Sequence, residues 1–254
     1  MTEEGKYIYC IIAANEPKTF GPLGIGNRGD KLYTLCSNDL AAVVSNSPIM
    51  HYYSVSRENT LAHEKAIEEV MKEHTVLPVR FNTIAENEEK VKKILEKKHD
   101  KFKNLLNKFK DKKELGLKAI FKEEDVIYKD ILKKYGEIRG LKEKLTSLPP
   151  EKTYYQRMEI GKMVEVALQK EKEIYKKDIL DTLSPLAVEV KTNNTYGERM
   201  IVNAAFLVEK DEEVEFDQRV QGLGAKYTNK IKFKYVGTVP PFNFVNLVIK
   251  TEEY

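Results

Sequence analysis

Residues 6–13 read KYIYCIIA and residues 40–45 read LAAVVS. Both are β-branched, aromatic and apolar runs without helical spacing, and they are read as strands. Between them, Asp30 to Cys36 (DKLYTLC) forms another strand, and Ser37-Asn38-Asp39 supplies the turn of a hairpin with Leu40 to Ser45. Downstream, Ser56 with Asn59 opens a helix whose apolar positions Leu61, Ala62, Ile67, Val70 and Met71 fall on one face and which stops near His74. Thr75 to Phe81 (TVLPVRF) reads as a strand, and Pro78 makes it an edge or bulged one because proline cannot donate a ladder hydrogen bond. Glu86 to Phe109 is a lysine-rich helical stretch with a break expected near His99. The first unit is therefore β-β-β-α-β-α.

A second unit starts at Lys113 to Phe121 (KELGLKAIF), a strand by its alternation. Long helices follow, with breaks expected at Gly136, Gly140 and Pro149-Pro150. From Thr153 to about Val188, apolar residues recur with helical period at Ile160, Met163, Val164, Ala167, Leu168, Ile174, Ile179 and Leu183, as in an antiparallel helical hairpin. Arg199 to Val208 (RMIVNAAFLV) is a strong strand signal, Glu212 to Tyr227 a short helix, and Ile231 to Val236 and Phe242 to Ile249 two closing strands. The fold class is α+β, in two domains with mainly antiparallel sheets. The expected boundaries are 1–111 and 112–254, the second domain being a modified ferredoxin-like plan with a helical insertion at about 122–190.

The composition narrows the function. There are 43 Lys and Arg against 40 Asp and Glu, a net charge of +3, without the strong basic excess that phosphate neutralisation demands of a nucleic-acid binder. No stretch reaches the roughly 20 apolar residues that span a bilayer, and Glu3 and Glu4 precede the first apolar run, so neither a signal peptide nor a membrane span is expected. Cys10 and Cys36, both inside strand-like runs, are expected to be buried thiols in a reducing cytoplasm.

No chemical motif is complete. Gly21 to Gly26 spells G-x-x-G-x-G but leads into a strand, whereas a dinucleotide fingerprint must open a helix. His63-Glu64 lies in a helix, yet position 67 is Ile67 where a zinc protease needs its second histidine. With four histidines (His51, His63, His74, His99) and two cysteines, no metal cluster and no cofactor are expected. His63 and Glu64 are expected to bond to Arg80 between helix and strand. Arg80 should pair with a carboxylate, and Arg80→Ala should then cost a few kcal/mol if that pair is buried. The lysines around 92–98 alternate with Glu88, Glu89, Glu96 and Asp100 and read as a solvated helix face. Pro240 and Pro241 force an extended entry that should seat Phe242 and Phe244 in the core, or else present a partner-binding edge.

Four of these segments carry a family resemblance: Tyr7 to Ile12 with the glycine loop after it, Leu40 to Ser45, Ala62-His63-Glu64 with Thr75 to Phe81, and Gly237 to Val245. The chain resembles the gas vesicle protein F/L family, in which the third segment usually reads T-V-L-P-x-R-F-G-T and the fourth G-P-W-P-P-Y-x-F-V. It departs at Asn82, where glycine is usual, and at Thr238, Val239 and Phe242, where proline, tryptophan and tyrosine are usual. The resemblance implies a two-domain α+β protein without enzymatic activity. It would be an accessory or minor structural component that assists shell assembly by binding the hydrophobic major shell protein and other accessory proteins, in the cytoplasm and associated with vesicles. The interface residues it singles out are His63, Glu64, Arg80, Phe81, Pro240, Pro241, Phe242 and Phe244. Two other readings compete with it. A small-molecule enzyme built on His63, Glu64 and Arg80 requires those side chains in one concave pocket. A ligand-binding or nucleic-acid-binding ferredoxin-like module requires an open sheet face with aromatic and basic residues.

Overall fold

The computed structural model describes residues 4–26, 28–49, 52–146, 148–149 and 152–253; His51 and Pro150 lie outside them. The chain packs as two units, residues 1–114 with 238–254, and residues 115–237.

The first unit holds strands β1 (Glu4–Ala13), β2 (Thr19–Pro22), β3 (Lys31–Ser37), β4 (Leu40–Pro48), β5 (Val76–Pro78) and β6 (Ile84–Ala85), in the order β2-β3-β4-β1-β5 with β6 also on β1. Its helices are α1 (Arg57–Met71), α2 (Glu88–Lys97) and α3 (His99–Phe109). Tyr7 to Ile12 is buried without interruption because helices cover both faces of the sheet. Ala66, Ile67 and Val70 of α1 pack with Tyr7, Tyr9, Cys10, Ile12, Ala41 and Val43 on one face. Ile8, Ile11, Ala42 and Val44 turn to the other, where α2 and α3 lie on the sheet. A bulge on β1 between Ile8 and Cys10 puts the neighbours Tyr9 and Cys10 into the same cluster.

Local chemistry explains the elements. Ser56 caps α1 by accepting from the Asn59 amide, and Asn87 caps α2 by accepting from Lys90. Asn38 takes φ +55° in the β3-β4 turn, the left-handed geometry that tight hairpins need. The turn is tied to α3 by Asp39, whose carboxylate meets Lys103 Nζ at 2.7 Å and His99 Nε2 at 2.5 Å. Lys103 first and then His99 hold that carboxyl below the usual carboxylate range. β5 is indeed an edge strand, with Pro78 opposite Cys10. The glycine loop folds onto the α1 side: Ile25 is fully buried and its amide donates to Tyr9 Oη at 2.8 Å.

The second unit holds β7 (Lys112–Phe121), α4 (Glu124–Lys134), α5 (Gly136–Thr146), α6 (Tyr154–Leu183), β8 (Glu189–Thr192), β9 (Met200–Glu209), α7 (Glu213–Lys226) and β10 (Ile231–Val239). Its sheet runs β10-β7-β9-β8. Leu115, Leu117, Ala119 and Phe121 alternate inward to meet Ile131, Ile138, Ala167, Ile179, Leu183 and Phe216 from the helices. Lys118, Lys232 and Lys234 are exposed on the other side of the sheet, where Ala205 and Leu207 of β9 are buried. Phe233 and Tyr235 pack toward the helices, so among the described residues the exposed positions on that side carry lysines without the stacking aromatics that a nucleic-acid reading required.

Several expectations are corrected. Residues 242–249 are not a strand: a turn at 242–244 precedes irregular chain. The expected second domain of 112–254 ends instead at Gly237, because residues 238–254 pack with the first unit. The closing strands are β9 and β10, joined by a fourth, β8, whose four residues EVKT are too short and polar to announce themselves. Gly140 does not break α5, since a single glycine weakens a helix by only about 1 kcal/mol relative to alanine. The strand expected over Thr75 to Phe81 shrinks to Val76–Pro78, since the chain turns at Asn82. Cys10 is fully buried, but Cys36 is only half-buried.

Gly26 has φ +74°, and a Cβ there would stand 2.5 Å from Cε1 of Tyr53. Gly26→Ala is expected to destabilise the protein by about 2 kcal/mol or more through backbone strain and overpacking, read as a lower urea midpoint. A midpoint equal to wild type would show that the loop does not clamp Tyr53.

Candidate functional site

Parts of the third and fourth family segments meet within the first unit. Asn82, at φ +65°, turns the chain after β5, and its side chain accepts from the Tyr53 amide at 3.0 Å and donates to the Tyr53 carbonyl at 2.8 Å. Asparagine thus supplies the backbone freedom of the usual glycine and adds a two-point clamp. Residues 242–249 run past the same turn: the Arg80 amide bonds Leu247 O at 3.4 Å, and Thr251 Oγ1 donates to Ile84 O at 2.8 Å. Buried Glu114 fixes their start, accepting from the Asn243 amide at 2.9 Å and from its side-chain Nδ2 at 2.5 Å.

Behind this surface lies a buried polar chain. His63 Nε2 is 3.2 Å from the Val79 carbonyl, which can only accept, so Nε2 carries the proton. Nδ1 then accepts from Tyr7 Oη at 3.0 Å, and Tyr7 Oη accepts from the Asn82 amide at 3.1 Å. Every donor and acceptor in this series is used once if His63 is neutral. Burial lowers the His63 pKa to about 4, in agreement with that assignment, while the Val79 contact opposes the shift. Tyr9, Phe81 and Tyr7 surround the imidazole, with the Tyr9 ring stacked at 5.7 Å.

The singled-out residues are therefore brought together in part. A cavity of about 350 Å³ is lined by His63, Arg80, Phe81, Phe242 and Val245 to Val248. A second of about 580 Å³ shares Arg80, Phe81 and Val248 and extends to Ile49, Tyr52, Val55 and Ile84. Glu64 lines neither; burial, then the charge of Glu68, raises its pKa. The expected bond from His63 and Glu64 to Arg80 is not made, because both nitrogens of His63 are committed elsewhere. Arg80 is exposed, and its guanidinium enters no ion pair among the described residues, which overturns the expected cost of Arg80→Ala. An exposed side chain of this kind costs within about 0.5 kcal/mol when removed. Pro240, Pro241 and Phe244 are buried, but Phe242, expected in the core, is 38% exposed at the cavity rim. The roles of Tyr7, Tyr53 and Glu114 escaped the sequence reading; Tyr7 and Glu114 looked like ordinary strand residues.

The arrangement offers two concavities with apolar residues such as Phe81, Phe242 and Val248, the cations Arg80 and Lys250, the carboxylates Glu86 and Glu252, and a histidine whose nitrogens are both occupied. A family model described as gas vesicle synthesis protein GvpL/GvpF matches residues 5–246, and the chain belongs to this family. Gas vesicle protein F of Nostoc sp. is 26% identical over 252 residues, covering 96% of this chain and 98% of the relative. That of Dolichospermum flosaquae is 28% identical over 244 residues, covering 95% and 97%. The crystal structure of GvpF from Anabaena sp. superposes with a TM-score of 0.81 at 25% identity, covering 96% of this chain and 99% of that one. GvpF from Microcystis aeruginosa, at 23% identity and a TM-score of 0.75, shares the fold. Among the described residues, no helix is long and apolar enough to cross a membrane.

His63 titrates near 6.5 when unfolded and near 4 when folded, so the unfolded chain binds more protons between those values. Its stabilising contribution is complete above pH 6.5 and falls by roughly 3 kcal/mol as pH drops to 4. Urea unfolding of wild type and His63→Gln at a series of pH values measures this: the stability difference between them should shrink on acidification. A difference independent of pH would contradict the buried neutral histidine. Tyr7→Phe, which orphans the Asn82 amide and His63 Nδ1, should cost about 1–3 kcal/mol at neutral pH.

Proposed function

We propose that the protein assists assembly of the gas vesicle shell by binding the hydrophobic major shell protein, as an accessory or minor structural component with a chaperone-like, non-enzymatic role. The observation that carries this reading is the pair of cavities at residues 80–86 and 242–252, beside exposed Tyr52, Val55, Phe242 and Val248. A shell subunit with a large apolar face aggregates unless that face is covered. A concave surface whose walls combine apolar side chains such as Tyr52, Val55, Phe81 and Val248 with charged ones, beside the edge strand β5, suits a transient cover, and Arg80 offers a bidentate donor for a carboxylate at the margin of the bound face. The protein would act in the cytoplasm, associated with vesicles and alongside other accessory proteins, without nucleic acid or membrane as a partner. The order of β7 to β10 and their helices supports the reading of the second unit as a ferredoxin-like variant with α4, α5 and α6 in its first crossover.

A pull-down of the major shell protein on the purified chain tests the proposal, with Arg80→Ala and Phe242→Ala in parallel. Both variants should melt within error of wild type and retain less shell protein, by about tenfold where a bidentate contact or a pocket anchor is lost. Wild type that fails to retain the shell protein, together with a deletion strain that makes normal vesicles, would overturn it.

A further inference from the structure

Helix α6 is amphipathic in an unusual sense: apolar residues occur on its outward side as well as its buried one. Ala167, Ile179 and Leu183 are buried against the unit's core, yet Tyr155 is 80%, Val166 55% and Ile174 52% exposed. A helix that is apolar on two sides is normally covered on both. Val166 and Ile174 border a shallow, open hollow beside Lys134 and Tyr135.

The charges around Val166 identify what covers it. Glu159, Lys162, Glu165, Val166, Gln169, Lys170 and Glu173 are exposed, and their spacings of three and four place them along one stripe. If a second α6 is laid antiparallel on this stripe about a twofold axis between Ala167 and Leu168, Lys162 falls opposite Glu173, Glu165 opposite Lys170, and Glu159 opposite Lys176. Val166 falls opposite Gln169 at the centre. Every charge meets its opposite, and the twofold repeats each pair. A parallel alignment instead sets each charge against its own copy. Glu159, Lys162, Glu165 and Lys170 have no ion-pair partner within the chain among the described residues, and Glu173 and Lys176 reach only each other, at 3.5 Å. Such self-complementarity is what an isologous interface requires.

We propose that the outward face of α6 binds a second copy of this chain, antiparallel, through these charge pairs around Val166. The match sets register and orientation, and the exposed apolar side chains supply the burial.

Light scattering with sedimentation equilibrium on the full chain, over a concentration series at low and high salt, tests this with a charge swap. Wild type should form dimers that weaken as salt rises. Lys162→Glu alone and Glu173→Lys alone should each weaken dimerisation by about tenfold or more, since each sets like charges together twice. The double variant carrying both changes should regain wild-type affinity, as should an equimolar mixture of the two single variants. Circular dichroism should be unchanged throughout, since both side chains are exposed. A wild type that stays monomeric, single variants that dimerise like wild type, or swaps that fail to restore affinity would each overturn the proposal.

Discussion

Burial of β1 on both faces is the constraint on which the first unit depends. A strand covered by α1 on one side and by α2 and α3 on the other has no polar face, so Tyr7 and Tyr9 must find partners for their hydroxyls inside the protein. Tyr9 finds Ser45 and the Ile25 amide, and Tyr7 finds His63 and the Asn82 amide. The glycine loop, α1 and the turn after β5 are therefore fixed by the same strand. No buried side-chain nitrogen or oxygen among the described residues lacks a partner. The rigid surface beside that turn is thus a by-product of satisfying two buried tyrosines.

Much of this fold was legible in the sequence, for reasons that separate local from distant physics. KYIYCIIA announced a central strand because a doubly buried strand needs continuous apolar residues. Ser56 is a cap whose chemistry lies within a few residues, and the break before His99 fell where expected. Residues 242–249 were misread because they alternate buried and exposed positions as a strand does. Whether such a segment pairs depends on what lies beside it, and among the described residues the one backbone bond to that edge is from the Arg80 amide to Leu247 O.

The candidate site was half legible. Its segments could be named because unusual residues such as Pro78, Asn82, Pro240 and Pro241 advertise special backbone. Their relations could not: His63 was paired with Arg80 as a link between a helix and the strand after it, whereas its hydrogen-bond partner Tyr7 is 56 residues away. Arg80 was taken for a structural cation, yet it is a side chain held out on a backbone fixed by Leu247 and Thr83. Phe242 lost its expected burial for a similar reason, since Pro240 and Pro241 occupy the interior in its place.

The first unit is discontinuous, and this has a consequence for when its surface exists. Residues between 242 and 252 wall the cavities at Arg80, yet ribosomes make them only after the 115–237 unit. Domains form progressively during synthesis, so a nascent chain displays β1 to β6 and α1 to α3 with the recess beside β5 still open on one side. The ends of the intervening stretch must then come together, a closure whose entropic cost rises only slowly with its length. The walls of that recess are thereby completed only once both units have been translated.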